Sequence, residues 1–438
     1  MGREGGVDVD RQDVSTVQII RGNALALPLA DDSVDLVVTS PPYFGLRSYQ
    51  DGGEHYSGQI GDEPTPAEFV DALIAATAEM VRVVKPSGSI WVNLGDKYAS
   101  TTAGANGNGS GASTLGHHKG GGGPHSAKLT TVSASRRIAS GVPTKSLIGI
   151  PWRYAIRCID DLGLILRANV IWSKPNGLPE SVTDRVRRSH EDWFHFTLNP
   201  RYYSAVDEIR EPSGPEKACG PGAMRGPRSI RERGTADPTM NNPLGKLPGS
   251  VWTVATEPLH VPDHLGIDHF AAFPTEWPRR IIQGWSPRGI CVECGEGRRP
   301  TSERDPIDPR FLASNKRGDG RGNVEVRGVS QSSILRTGLQ AGQSPATRIT
   351  GEACACPEPT APTRPGTVLD PFGGTGTTAL VAHALGRHGI SVDMSADYCR
   401  LAGWRTSDPK QQAKAARREY QPPREQTEGQ LDLLEGIA

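Results

Sequence analysis

Val34-Asp-Leu-Val-Val-Thr39, running directly into Ser40-Pro41-Pro42-Tyr43, decides the reading of the chain. Val34, Leu36, Val37 and Val38 form a short apolar run around one acid, bounded by Asp31-Asp32-Ser33 before it and two prolines after it. Such a run fits a strand buried on both faces, the habit of a parallel sheet. The prolines cannot donate to a ladder and fix their own φ, so the strand ends there in a rigid turn. Ligands of open α/β sheets bind beyond the carboxyl ends of strands. The turn offers backbone carbonyls, the Ser40 hydroxyl and the flat face of Tyr43. That set suits a planar ring with an exocyclic amine, although an ordinary Pro-Pro turn has the same residues.

Working outward, strand and helix signals alternate. Val17–Ile20 reads as a short strand, and Pro66–Val84 as a helix. Phe69, Val70, Leu73, Ile74, Met80, Val81 and Val84 recur there at helical spacing, and Lys85-Pro-Ser-Gly88 ends the pattern. Ser89–Leu94 is the next strand. Further along, Trp152–Leu162 and Glu276–Gln283 read as helices and Ile165–Trp172 as a strand. Thr367–Leu369, a glycine turn, and Thr378–Leu385 give strand, loop and helix, and Gly389–Val392 opens another strand. The alternation predicts an α/β fold with a mostly parallel sheet flanked by helices.

The 438 residues carry no net charge, but the charge is uneven: −8 over 1–100, +7 over 101–260 and +1 over the rest. A basic middle can face a polyanion in a chain that is neutral overall. Gly and Pro make up about a fifth of the chain, above the roughly 12% of average usage, which predicts long loops. No apolar stretch reaches the length of about 18 residues needed for a membrane span, and Met1–Asp13 shows no secretory signal. Seven cysteines in such a chain favour free thiols or a metal site over a disulfide scaffold.

The second motif is Asp370-Pro371-Phe372-Gly373-Gly374-Thr375-Gly376-Thr377-Thr378. Glycines let the backbone approach a ligand, and a helix N-terminus offers unpaired N–H groups. Asp393 follows at the end of the next strand, at a spacing where an acid commonly binds ribose hydroxyls. The loop lacks the glycine spacing of a dinucleotide fingerprint and the lysine of a phosphate loop, so a ribose-bearing ligand without a phosphate chain fits it. Alone, it is also a plain tight turn.

Together the motifs point further. The chain resembles the DNA amino-methyltransferases, which methylate N4 of cytosine or N6 of adenine, and within them the beta group, whose permuted order puts the catalytic motif before the cofactor motif. Ser40-Pro-Pro-Tyr-Phe-Gly-Leu-Arg-Ser-Tyr49, Arg82-Val-Val-Lys-Pro-Ser-Gly88 and Trp91-Val-Asn-Leu-Gly-Asp96 carry the resemblance. So do Ile150-Pro-Trp-Arg153, Trp172-Ser-Lys-Pro-Asn176, Glu180-Ser181, Asp184-Arg185 and Ser189-His-Glu191. Phe273-Pro274 and the helix after it are similar to the segment that closes over the methionine end of the cofactor. Asn23 stands where the family often has Asp, and the loops 101–145 and 301–350 have no counterpart.

The resemblance implies a Rossmann-like S-adenosylmethionine-dependent methyltransferase fold, circularly permuted. Ser40, Pro41, Pro42 and Tyr43 would hold the target base. Asp370, Pro371, Phe372, Gly373, Gly374, Gly376 and Thr377, with Phe273 and Pro274, would line the cofactor, and Asp393 would hold its ribose. Ser at position 40 favours cytosine N4; adenine enzymes of the family more often carry Asp or Asn there. The expected activity is therefore site-specific N4-cytosine methylation of double-stranded DNA, with the base flipped out of the helix. N6-adenine methylation is the alternative. An inactive DNA-binding zinc protein and an RNA or protein methyltransferase rank behind both. Carbon-5 methylation needs a nucleophilic cysteine, usually after proline, and the chain has no Pro-Cys dipeptide. A cognate restriction endonuclease is an expected partner, and a prokaryotic or phage-encoded cytoplasmic protein the expected setting.

Two further groups stand out. Cys291-x-x-Cys294 and Cys354-x-Cys356 suggest a tetrahedral structural zinc, against four unrelated thiols. Arg185, Arg187 and Arg188 could grip DNA phosphates, against a solvated loop. Arg225, Arg228, Arg231 and Arg233 fall where target recognition is expected. The expected organisation is a catalytic domain in pieces: 14–100 with the catalytic motif, 146–211 in the centre, and 261–290 with 362–405 for the cofactor. Between them come a glycine-rich basic insertion (101–145), an irregular recognition region (212–260) and a cysteine-rich insertion (291–361). A polar tail (406–438) ends the chain.

Overall fold

The computed structural model describes residues 15–45, 50–51, 54–55, 58–99, 141–177, 179–180, 182–211, 244–267, 272–304, 347–356 and 360–420. Most of the glycine-rich insertion, Arg225–Arg233, and the last part of the tail lie outside these residues.

The chain order is β1 (Val17–Arg21), β2 (Val34–Thr39), a small hairpin of β3 (Gln50–Asp51) and β4 (Glu54–His55), α1 (Pro66–Val83), β5 (Val84–Leu94) and α2 (Ile150–Asp160). Then come β6 (Ile165–Ser173), β7 (His190–Thr197), β8 (Val251–Thr253), α3 (Glu276–Trp285), β9 (Gly289–Cys291), β10 (Arg299–Arg304) and β11 (Thr347–Ala353). The cofactor half closes with β12 (Thr363–Pro365), β13 (Thr367–Asp370), α4 (Thr377–Ala384), β14 (His388–Asp393), α5 (Ala396–Ser407) and α6 (Pro409–Ala415). The main sheet has eight strands in the order β1-β14-β13-β2-β5-β7-β6-β8. All its pairings are parallel except those of β7 with β5 and β6. The expected α/β fold is thus present.

The order of strands positions the site. From β2 the chain passes through α1 to β5 on one side; from β13 it passes through α4 to β14 on the other. β2 and β13 are neighbours, with Leu36 opposite Val368 and Val37 opposite Leu369. The crevice between them is a topological switch point, where the carboxyl ends of two strands diverge to leave a binding site.

α1 forms as its spacing requires. A capping box starts it: Thr65 Oγ1 accepts from Glu68 N at 3.2 Å, and Glu68 Oε2 accepts from Thr65 N at 3.1 Å. Such a cap contributes about 1 kcal/mol. Phe69, Val70, Leu73, Ile74 and Met80 bury their face in the core under β2 and β5. The other face of the sheet is tryptophan-rich. Trp277 stacks on Trp193 and on Trp252, each with ring centroids 5.0 Å apart, and Trp91 stacks on His195 at 4.4 Å.

Two expectations need correction, and one strand was not read from the sequence. Lys85-Pro-Ser-Gly88 is not the turn after α1. It is the start of β5, held by the Lys85 Nζ–Asp35 Oδ1 pair at 2.6 Å, while Val84 pairs with Val34. His190–Thr197 is a full strand, and the charged residues that hide it find partners inside the sheet. Asn169 Nδ2 donates to Asp192 Oδ1 at 3.0 Å, and His195 Nε2 lies 3.1 Å from Ser89 Oγ. The polar composition after residue 405 does not end the fold either. α6 packs on α4, and Ala415 is buried.

Candidate active site

Ser40–Tyr43 leave β2 at the crevice and Asp370–Gly376 leave β13 beside them. One carboxylate joins the two motifs. Asp370 Oδ1 accepts from Thr39 Oγ1 at 2.6 Å and from Phe372 N at 3.1 Å, and Oδ2 accepts from Thr378 Oγ1 at 3.0 Å. Asp370 is 1% exposed, and burial pushes its pKa up to about 6, against the pull of these donors. Its carboxylate therefore shapes the loop from inside.

The glycine loop is tight for steric reasons. A Cβ on Gly373 would fall 1.8 Å from Ser391 Oγ. At Gly374 (φ +49°) the surroundings are open, with Phe372 O at 3.9 Å the nearest non-neighbouring atom to a Cβ there. Asp393 borders that space. Its Oδ2 accepts from Gly374 N at 2.9 Å and its Oδ1 from Ser395 N at 2.8 Å. Pro371 and Thr377 are buried, Gly376 (φ +71°) is the N-cap of α4, and Phe372 packs against the core. Arg405, 4% exposed, braces the loop from behind: Nη1 donates to Thr375 Oγ1 at 2.7 Å and to Thr377 Oγ1 at 2.6 Å. Burial lowers its pKa to about 10, which leaves it charged at neutral pH.

On the β2 side, the Tyr43 hydroxyl lies 2.8 Å from Asn93 Oδ1 and 2.9 Å from Glu191 Oε2, and it donates its one proton to either. Ser40 Oγ donates to the same Asn93 oxygen at 3.3 Å. Asn93 Nδ2 donates to Asp192 O at 3.1 Å, which fixes the amide's orientation. Lys174 pairs with the other oxygen of Glu191. A Cβ at position 95 would lie 2.7 Å from Tyr43 Cε2, so Gly95 is needed for the ring to lie flat on the backbone. Pro41 is buried, and Pro42 and Tyr43 are half-buried. Asn93, Glu191, Lys174 and Arg405 were not singled out from sequence. Asn93, Glu191 and Lys174 sit inside stretches that carry the resemblance; Arg405 has no motif and is found only by its burial.

Phe273 sits edge-on to Trp193 at 5.8 Å, and Pro274, buried, precedes α3 and accepts from Trp277 N at 3.2 Å. The three arginines have protein partners. Arg185 Nη1 donates to Glu180 Oε2 at 2.6 Å, and its guanidinium covers Tyr98 at 3.8 Å. Arg187 donates to Gly177 O at 2.8 Å, and Arg188 to Asp96 O. The four cysteines of the two close pairs do come together, with Cys291 on β9 paired to Thr363 of β12.

Comparison with known proteins agrees with this arrangement. A family model described as DNA methylase, covering N6 and N4 enzymes, matches residues 34–292 and 361–403. The chain is 34% identical over 267 residues to the type II methyltransferase M.Cfr9I of Citrobacter freundii, covering 60% of this chain and 71% of that protein. It is 33% identical over 279 residues to the type II methyltransferase M.SmaI of Serratia marcescens, covering 63% of this chain and 78% of the other. Among solved structures, the PvuII DNA methyltransferase (cytosine-N4-specific) aligns over 92% of this chain and 93% of its own, with a TM-score of 0.47 and 16% identity. With both motifs in one crevice and the family model spanning more than half of its length, the chain belongs to the DNA methylase family of N6 and N4 amino-methyltransferases, whose methyl donor is S-adenosylmethionine.

Proposed function

We propose that the protein methylates N4 of cytosine in double-stranded DNA at a specific site, as the modification half of a type II restriction–modification pair. The reading rests on Ser40. Its hydroxyl donates to Asn93 Oδ1, which leaves its oxygen lone pairs free to accept. A Ser oxygen and a backbone carbonyl are two neutral acceptors, which match the two N–H bonds of an exocyclic amine, and Ser40 in place of the Asp or Asn more usual in adenine enzymes favours cytosine.

Bound S-adenosylmethionine supplies a methyl group already activated on its sulfonium. Asp393 and the loop around Gly374 would hold its sugar, and the loop carries no Lys or Arg that would call for a phosphate chain. The amine of cytosine is a weak nucleophile because its lone pair is delocalised into the ring. Ser40 Oγ and Pro41 O would accept hydrogen bonds from its two N–H groups, which favours a pyramidal nitrogen with its lone pair aimed across the crevice. The donor would supply the methyl group to that lone pair and keep its sulfur as the neutral thioether, and the strongly acidic cationic nitrogen would release one amine proton to solvent. Much of the catalysis is thus orientation. Tyr43, held by Asn93, Glu191 and Gly95, offers a ring for the extruded base, and stacking of that kind contributes about 1–3 kcal/mol per base.

The test is transfer of labelled methyl groups to duplex DNA by the purified protein, followed by digestion to nucleosides. Label in N4-methylcytosine is expected. Label in N6-methyladenine would keep the reaction and overturn the base; label only in RNA or protein would overturn the substrate.

A further inference from the structure

The methyl-transfer site uses none of Cys291, Cys294, Cys354 and Cys356. Their sulfurs all lie within 4.8 Å of one another, although the two pairs are separated by a long insertion. A tetrahedral zinc with Zn–S bonds of about 2.3 Å sets its sulfurs about 3.8 Å apart, so only a small closure is needed. None of the four is in a disulfide.

The surroundings are those of a metal-binding turn. After Cys291, at the end of β9, the chain folds back tightly. Gly295 N donates to Cys291 O at 2.9 Å, Cys291 N donates to Glu296 O at 2.9 Å, and Gly295 takes φ +71° to make the reversal. The backbone N–H groups of Cys294 and Glu293 are directed at the Cys291 sulfur. Arg298 turns its guanidinium toward the sulfurs of Cys354 and Cys291 while Nη2 donates to Ala361 O at 2.7 Å. A zinc held by four thiolates carries a net charge of about −2, and a cation donating hydrogen bonds to its sulfurs is the expected outer partner.

We infer that Cys291, Cys294, Cys354 and Cys356 bind one structural Zn²⁺, and that the ion locks the base of the β10–β11 arm onto the strand pair β9–β12. Cys291 pairs with Thr363 across that pair, and Cys354 follows directly on Ala353, the last residue of β11. β12 leads through Gly366 into β13 and so to Asp370. The ion therefore fastens an insertion to the cofactor half of the sheet. It has no open position for a substrate, because all four ligands come from the protein.

Metal analysis of the purified full-length protein tests this without any activity assay. About one zinc per chain is expected, falling to well under half in Cys294→Ser and in Cys356→Ser, and unchanged in Cys158→Ala. Cobalt replacing the metal should show tetrahedral ligand-field bands with thiolate charge transfer. If a serine variant does not fold, titrating the wild-type thiols with a mercurial should release one zinc as four thiols react. Zinc far below one per chain, iron in its place, release without loss of these thiols, or a disulfide within either pair would overturn the proposal. None of these results depends on which base the enzyme methylates.

Discussion

Thr39 Oγ1 donates to Asp370 Oδ1 at 2.6 Å, across 331 residues of sequence. The last residue of the catalytic strand and the last residue of the cofactor strand thus share one buried hydrogen bond. The distance between base site and cofactor loop is set there. Asp370→Ala would leave the Thr39 hydroxyl and Phe372 N–H without their acceptor, at a cost of about 2–4 kcal/mol in denaturant unfolding. Asp370→Asn keeps the size and most of the bonding and should cost far less at pH 7.

Two buried groups oppose each other in the acid limb of stability. Asp370 has a folded pKa of about 6, above its ordinary value, so its contribution is full below about 4 and is lost as pH rises through 6. Buried His195 is pushed the other way, down to about 3, so its contribution is full above about 6.5 and is lost as pH falls toward 3. At about 1.4 kcal/mol per pH unit, the histidine carries about 5 kcal/mol against about 3 for the aspartate. Together these two groups therefore lower stability as pH falls below about 6.5. His195→Gln should flatten that loss, and Asp370→Asn should deepen it. Unfolding free energies measured from pH 4 to 8 check both signs; a deeper acid limb in His195→Gln would contradict the assignment.

Tyr43 separates base positioning from cofactor binding. Tyr43→Phe keeps the ring and loses the hydroxyl shared by Asn93 and Glu191. A slightly misplaced ring should slow single-turnover transfer by about 10- to 100-fold. Tyr43→Ala should remove most activity. Affinity for S-adenosylmethionine, measured by calorimetry, should be unchanged in both, and its loss would contradict the placement of Tyr43 on the base side.

The cofactor loop should respond in the complementary way. Asp393→Ala removes the acceptor of Gly374 N and Ser395 N and should weaken S-adenosylmethionine binding by at least about 10-fold, the effect of losing about 1.4 kcal/mol. Gly373→Ala should be worse, because its methyl group meets Ser391 Oγ; adding Ser391→Ala should recover part of the binding. No recovery would mean that the clash is not the cause.

Arg405 is buried, Glu257 is the carboxylate whose charge reaches it, and its hydrogen bonds go to two threonine hydroxyls of the loop. Arg405→Met should destabilise the protein by about 2–4 kcal/mol and weaken cofactor binding. A variant as stable as the parent would show that the loop does not depend on this brace.

How far the sequence could be read follows physical lines. α1 was legible because its apolar residues repeat every three or four positions, and β2 because it is buried on both faces. β7 was not: Glu191, Asp192 and His195 look solvated until Lys174, Asn169 and Ser89 are seen across from them. The two motifs were legible because consecutive residues do the work. Asn93 and Arg405 were not, since each acts through a contact that only the folded sheet creates. The cysteine pairs were legible as pairs, and their meeting point was supplied by the pairing of β9 with β12.

The central claim is that Ser40 and its neighbours present a cytosine amine to S-adenosylmethionine. Its most direct test is mass spectrometry of nucleosides from the DNA of cells expressing the protein, beside cells expressing Ser40→Ala. N4-methylcytosine with the intact protein and its loss in the variant is the expected result. N6-methyladenine with the intact protein, or N4-methylcytosine at equal levels in the Ser40→Ala cells, would contradict the account.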